Sequence, residues 1–246
     1  MIWLKVDVAM QATPLNFLLD SGAGKSVLNL GTAQRLGVKL GSREIVQGTQ
    51  GGCAAYRVRN LPATVASVPI PGEMLALDLS PVSEGCVTRI DGLLGADFFR
   101  GRVVQIDYTA QKIRLLGRKE FSVSDGQTLP LIRRNDALGI RVGVEGGAPQ
   151  WMRLDTGYNG ALEWVVARES APRMAGTSVA TAAASKHSIR AKVLLGSERL
   201  STVETGVHSQ PIFAGEAGLV GNGLLSQFLV TVDVDGGRLL LRRAAR

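Results

Sequence analysis

Two stretches of this chain set an acid, a small hydroxyl residue and a glycine in succession after an apolar run. They are Asn16-Phe17-Leu18-Leu19-Asp20-Ser21-Gly22-Ala23 and Met152-Arg153-Leu154-Asp155-Thr156-Gly157-Tyr158. Such a run suits a buried strand that carries the acid at its tip. Hydrolysing an amide without a metal or a covalent nucleophile needs a base to activate water and an acid to protonate the substrate. Two neighbouring carboxylates supply both, because like charges so close cannot both ionise and one proton is shared. A single Asp-Ser/Thr-Gly string is an ordinary strand-ending turn. One in each half of the chain predicts two acids, Asp20 and Asp155, brought face to face by a pseudo-twofold axis.

The repetition extends beyond these strings. Asp155 follows Asp20 by 135 residues, and Pro149 follows Pro14 by 135. Further on, Gly95 and Gly221, Asp107 and Asp233, and Leu115 and Leu241 are each 126 apart. Residues 103–107 therefore align without a gap to 229–233, and the second half has a middle section nine residues shorter. Each half also carries an apolar-apolar-Gly string: Asp91-Gly92-Leu93-Leu94-Gly95-Ala96-Asp97-Phe98-Phe99, then Gly218-Leu219-Val220-Gly221-Asn222-Gly223-Leu224-Leu225. A fixed internal offset is the mark of a duplicated architecture.

Together the four strings resemble the aspartic proteases, in particular the bacterial retropepsin-like ones, and they span almost the whole chain. The resemblance implies an all-β, bilobal acid-protease fold with a few short helices, its two retropepsin-like halves related by a pseudo-twofold. The expected lobes cover residues 1–118 and 129–246, with a linker over 119–128. The implied activity is that of an aspartic endopeptidase with Asp20 and Asp155 as the catalytic dyad. Ser21 and Thr156 would bond across to the opposite lobe, and Gly22 and Gly157 would let their amides reach the carboxylates. By the same resemblance the tip Gly48-Thr49-Gln50-Gly51-Gly52 is a flap, with Gln50, Gly51 and Gly52 over the substrate; on its residues alone it is a tight turn. No Tyr stands at this tip, as in the shorter bacterial and retroviral type. Tyr158 replaces the usual small residue, and Asn222-Gly223 stands where the first half has Ala96-Asp97.

The resemblance implies no metal or other cofactor, a peptide or protein substrate extended between the lobes, and a monomer. Two other readings of the same residues stay open. The dyad is also suited to acid-base catalysis on a small molecule or modified peptide, and the fold to a non-catalytic peptide-binding module.

The elements that must position the acids follow from patterning. Trp3–Met10 alternates as a half-buried strand, Gln11–Pro14 turns, and Leu15–Leu19 returns to the first acid. Thr32–Leu36 reads as a short helix stopped at Gly37; the resemblance implies a second over Gly95–Arg100, and Glu163–Arg168 is the counterpart of the first. Val65–Leu79, with Pro69 and Pro71, reads as broken edge strands. Val103–Asp107 and Lys112–Leu116 form a hairpin, as do Gln227–Asp233 and Arg238–Leu241 around Asp235-Gly236-Gly237. In the second half Gly139–Val144 and Trp151–Leu154 replay the opening strands. Gly176–Ser188 occupies the flap position there without its glycine pair.

Composition bounds the rest. In 246 residues, 45% hydrophobic and 20% charged is ordinary for a globular chain, and 30 glycines against six Phe, three Trp and three Tyr fit a turn-rich β protein. The net charge of +7 comes from scattered Lys and Arg with no basic run among aromatics, so a solvated basic surface is expected, and nucleic-acid binding is not. Cys53 and Cys86 form no Cys-x-x-Cys pair, which points away from zinc and redox chemistry and requires no disulfide. His187 and His208 lack metal-ligand spacing and read as surface residues. Gly22-Ala23-Gly24-Lys25-Ser26 imitates the end of a phosphate-binding loop, but Leu19 stands where that motif needs its first glycine. No signal peptide or membrane-length apolar run is visible. A cytoplasmic location is expected if the chain is full-length, a periplasmic or secreted one if it is trimmed.

Overall fold

A computed structural model of the chain describes residues 1–9, 11–48, 51–83, 86, 88–117, 126–134, 136–166 and 187–244. Among them strands dominate, and helix is confined to Leu30–Arg35, Ser80–Ser83, the 3-10 turn Ala96–Phe99 and Asn222–Leu225. The fold is all-β, as expected. No helix among the described residues is long and apolar enough to cross a membrane. The chain divides into two compact units, one of residues 1–100 and 135–137, the other of 101–134 and 138–246.

The first unit is organised on a nine-stranded sheet. At its centre Leu15–Leu19 runs parallel to Gly92–Leu94, with Phe17 opposite Gly92 and Leu19 opposite Leu94. Gly92 pairs on its other side with Val27–Asn29, and any side chain there would collide with the Phe17 ring and the Val27 carbonyl. The apolar run of the sequence is buried because both its faces are covered: Phe17, Leu18, Leu19, Leu28 and Leu94 are all 2% exposed or less. Asn29 caps the helix Leu30–Arg35 by accepting from the Gly31 amide at 3.0 Å, which starts it two residues before the expected Thr32.

The expected broken edge strands over Val65–Leu79 need correcting. Only Val68–Pro69 lies at the sheet's edge, whereas Glu73–Leu77 sits inside it, between Gly51–Arg59 and Val27–Asn29. Both prolines fall outside that inner strand, and Met74, Leu75 and Ala76 are buried.

The second unit holds two sheets. In one, Val103–Asp107 lies between Lys112–Leu116 and Phe228–Asp233, followed by Arg238–Arg243 and Gln127–Pro130. In the other, six strands close on themselves: Ala137–Val144, Gln150–Leu154, Gly218–Val220, Leu162–Val165, Glu198–His208 and His187–Leu195, which pairs back onto the first. The expected helix over Glu163–Arg168 is a strand as far as Val165. Leu162–Val165 is wedged between two neighbours, parallel to Glu198–His208 and antiparallel to Gly218–Val220. Trp164, Val165 and Val166 favour that pleated setting over a helix. Residues 167–168 lie outside the described residues, as do 176–186 of the expected second flap and 119–125 of the expected linker.

Prolines explain a difference between the units. The first breaks into Gly51–Arg59, Ala63–Val65, Val68–Pro69 and Glu73–Leu77 around Pro62, Pro69 and Pro71. The second has no proline between His187 and His208 and runs as one long hairpin, with a bulge between Ala191 and Val193.

Asp91 ties the first unit's centre together. Its carboxylate accepts from the Asn16 amide at 3.0 Å, the Thr32 hydroxyl at 2.8 Å and Arg35 at 3.0 Å. Burial alone would push this carboxyl up, but those three donors hold it below the ordinary carboxylate value. A carboxyl depressed in the folded state stabilises above its unfolded pKa, and that contribution is lost as pH falls through the lower folded value. Asp91→Asn is expected to unfold at lower urea concentration at pH 7, and to lose less stability than wild type below about pH 4. Urea titrations of both proteins from neutral to acid pH measure the difference.

Candidate active site

Each candidate acid sits one residue past the end of a parallel strand pair. The Asp20 amide donates to the Leu94 carbonyl at 2.9 Å, and the Asp155 amide to the Val220 carbonyl at 2.9 Å. Beyond each acid the chain folds back on itself. Asp20 Oδ1 accepts from the amides of Gly22 at 3.0 Å and Ala23 at 3.1 Å. Asp155 Oδ1 accepts from the Gly157 amide at 2.9 Å. These amides fix the orientation of each carboxylate. Ser21 and Thr156 are both fully buried, while Asp20 and Asp155 keep partial exposure.

The apolar-apolar-Gly strings close each turn from behind. Ala96 N donates to the Ala23 carbonyl at 2.7 Å, and Asn222 N to the Tyr158 carbonyl at 2.8 Å. Gly95 and Gly221 allow this approach. A Cβ on Gly95 would strike the backbone of Lys25 and Ala23, and one on Gly221 the backbone of Gly160 and Tyr158.

The side chains that lock the two turns differ. In the first unit the Asp97 carboxylate accepts from the Ser26 amide at 2.9 and 3.0 Å and from its hydroxyl at 2.6 Å. Ser26 Oγ in turn accepts from the Gly95 amide at 3.1 Å. In the second unit Gly223 takes the place of Asp97, and its amide bonds the Gly160 carbonyl at 3.0 Å. Buried Asn222 donates to the Thr156 carbonyl at 2.7 Å and accepts from the Tyr108 hydroxyl at 2.8 Å. Burial pushes the Tyr108 phenol well above its ordinary value, so it remains a donor.

Of the expected flap residues, Gln50 lies outside the described residues. Gly51 and Gly52 open the strand Gly51–Arg59, opposite Gly48 and Gln47. Cys53 and Cys86 are both free thiols. His208 is not the surface residue expected: it is half-buried, with Nε2 2.5 Å from Glu163 Oε2. Sequence reasoning also missed Ser26, Tyr108 and Glu163. Asp97 and Asn222 lie within strings that were singled out, and their mismatch was the available signal.

Residues 6–101 match the family model described as "gag-polyprotein putative aspartyl protease". That match covers the first acid turn and its Gly-Leu-Leu-Gly string, and over those residues it supports a likeness to the retropepsin-like aspartic proteases. No curated protein matches the chain.

Asn222→Ala would leave the buried Thr156 carbonyl and the Tyr108 hydroxyl without this partner, at a cost of about 1–3 kcal/mol in unfolding free energy. Tyr108→Phe, which removes one hydroxyl and keeps the ring, is expected to cost about 1 kcal/mol. Guanidinium unfolding of the two variants beside wild type measures both.

Proposed function

We propose that the chain is a single-chain aspartic endopeptidase in which Asp20 and Asp155, one from each lobe, share a proton and activate water. The observation that carries the reading is the repeated setting of the two acids. Each has its amide on the carbonyl of an apolar-apolar-Gly strand at 2.9 Å, and its Oδ1 on the amide of the glycine two residues on. Ser21 and Thr156, buried beside the acids, take the supporting role, with Gly22 and Gly157 supplying the amides.

Internal duplication, with lobes over 1–118 and 129–246, is part of the proposal. One pairing supports it. Val103–Asp107 is antiparallel to Phe228–Asp233, with Gln105 opposite Thr231, and these two positions are 126 residues apart. A strand pairing with its own repeat about equivalent residues is what a local twofold produces. The Gln105 amide even donates to the Thr231 hydroxyl at 3.2 Å.

In this mechanism the ionised carboxylate takes a proton from water as the oxygen attacks the amide carbon. The protonated partner supports the developing oxyanion, and a proton then passes to the leaving nitrogen. The substrate lies extended, held by backbone hydrogen bonds, under the hairpin that includes Gly51 and Gly52. A duplicated chain carries both acids and works as a monomer.

The test is cleavage of a peptide library between about pH 3 and pH 7 by wild type, Asp20→Asn and Asp155→Asn. Each variant is expected to lose at least about 10²–10⁴-fold in kcat, since each removes one half of the acid-base pair. A wild-type protein that cuts nothing across this range would overturn the proteolytic reading in favour of a small-molecule or binding role.

A further inference from the structure

The residue after the second acid turn is Tyr158, where the first turn has Ala23. Its ring lies against two glycines: a Cβ on Gly160 or on Gly221 would run into it. Its amide bonds the Asp155 carbonyl at 3.3 Å, so the ring is rooted in the loop that orients Asp155. Its hydroxyl donates a hydrogen bond to Glu163 Oε1. The other oxygen of Glu163 faces His208 Nε2 at 2.5 Å. Glu163 is 3% exposed, and a carboxylate so deep is retained only when its oxygens are partnered.

The strands explain why these three side chains meet. Leu162–Val165 sets Val165 directly opposite His208 on the parallel neighbour Glu198–His208. On its other side Glu163 faces Leu219 of the strand that also pairs with Arg153-Leu154. Thus Glu163 stands one strand away from the strand that delivers Asp155. The first half has Leu28 at the position 135 residues before Glu163, so this chain of polar groups belongs to the second half alone.

We propose that Glu163 and His208 are positioning residues of the second half-site: they anchor Tyr158 beside Asp155, and their paired charges set the field in which Asp155 ionises. This rests on the reading of Asp155 as a catalytic acid. Among the described residues, the charged and titratable groups nearest in register are Glu204 on the strand of His208, with Arg190 opposite it, and His187 opposite Val207. Beyond Leu219 lies Arg153, already held by Glu216 in a two-pronged ion pair at 2.7 and 2.8 Å. Burial, then the bond to Glu163, then the charges of Glu163, Glu204 and Asp155 hold the Tyr158 phenol well above its ordinary value. Tyr158 therefore remains a hydrogen-bond donor throughout, and its phenol senses the charge on Asp155.

The sign of the coupling follows from Coulomb's law. An imidazolium and a carboxylate in contact carry opposite charges. The two charges then offset one another at Asp155. Removing Glu163 alone leaves a net positive group and favours ionised Asp155. Removing His208 alone leaves a net negative one and favours protonated Asp155.

The experiment follows the Asp155 carboxyl by NMR of protein labelled with 13C-aspartate, alongside kcat/KM against pH, in wild type, Glu163→Gln, His208→Gln and the double variant. Glu163→Gln is expected to move the Asp155 midpoint to lower pH and His208→Gln to higher pH, each by about half a unit or more. The double variant should return close to wild type. Loosened packing would move both single variants the same way, so opposed shifts separate an electrostatic role from a structural one. No shift, or shifts of the same sign, overturns the proposal. Should Glu163→Gln not fold, His208→Gln at the more exposed position decides alone: a midpoint unmoved or moved to lower pH overturns it. A protein that cuts no peptide yet shows the opposed shifts upholds the coupling and overturns only the proteolytic reading.

Discussion

Each half of this chain depends on a parallel pairing of two short buried strands, one ending in an acid and the other in a glycine. Parallel strands covered on both faces need apolar residues almost continuously, and Phe17-Leu18-Leu19 against Gly92-Leu93-Leu94 meets that need. The register then places the Asp20 amide on the last carbonyl of its neighbour. From that point the geometry is tightly constrained. The turn after the acid and the turn after Leu94 must pass within backbone contact, which Gly95 permits and any side chain would prevent. The second unit meets the same constraint with Leu154, Val220 and Gly221.

The backbone solution is shared, but the polar groups that hold it are not. The first unit uses two carboxylates: Asp97 on Ser26, and Asp91 on Asn16, Thr32 and Arg35. The second uses the neutral chain Tyr108–Asn222–Thr156, together with the Arg153–Glu216 ion pair beneath the Phe213 ring, 3.4 Å from the guanidinium carbon. Backbone hydrogen bonds recur because the path of the chain demands them. A buried side chain needs only some partner of matching polarity, so the identity of that partner is free to differ between the two turns.

This distinction explains how far the residues could be read. The turns after Asp20 and Asp155, their glycines and the hairpins were legible, because apolar periodicity and close backbone approach leave marks at fixed spacing. The Glu163 segment was misread as a helix because it was matched by analogy to the helix of the first half. Counted by the offset, Leu162–Val165 corresponds to the strand before that helix, Val27–Asn29. Inner strand Glu73–Leu77 was misread because prolines at its approaches were taken to demote the whole stretch. The pairings of Glu163 with His208, 45 residues away, and of Tyr108 with Asn222, 114 away, could not be assigned, since only the sheet register brings these residues together.

The unequal surroundings bear on how a shared proton would be distributed. In a symmetric pair of carboxylates neither oxygen is favoured, and the protonation belongs to the pair. Here the second acid has Tyr158 anchored to Glu163 beside it, with Glu204 near enough to act on the same phenol, whereas Ala23 occupies the matching place in the first. If the two acids share a proton as proposed, excess negative charge near Asp155 favours the proton there, and Asp20 then carries the charge of the base. His208, on the other oxygen of Glu163, opposes that bias whenever it carries charge. On the proposed reading, Asp20 and Asp155 hold equivalent places in the backbone yet unequal roles in the chemistry, and the inequality is written in side chains that the repeat does not share.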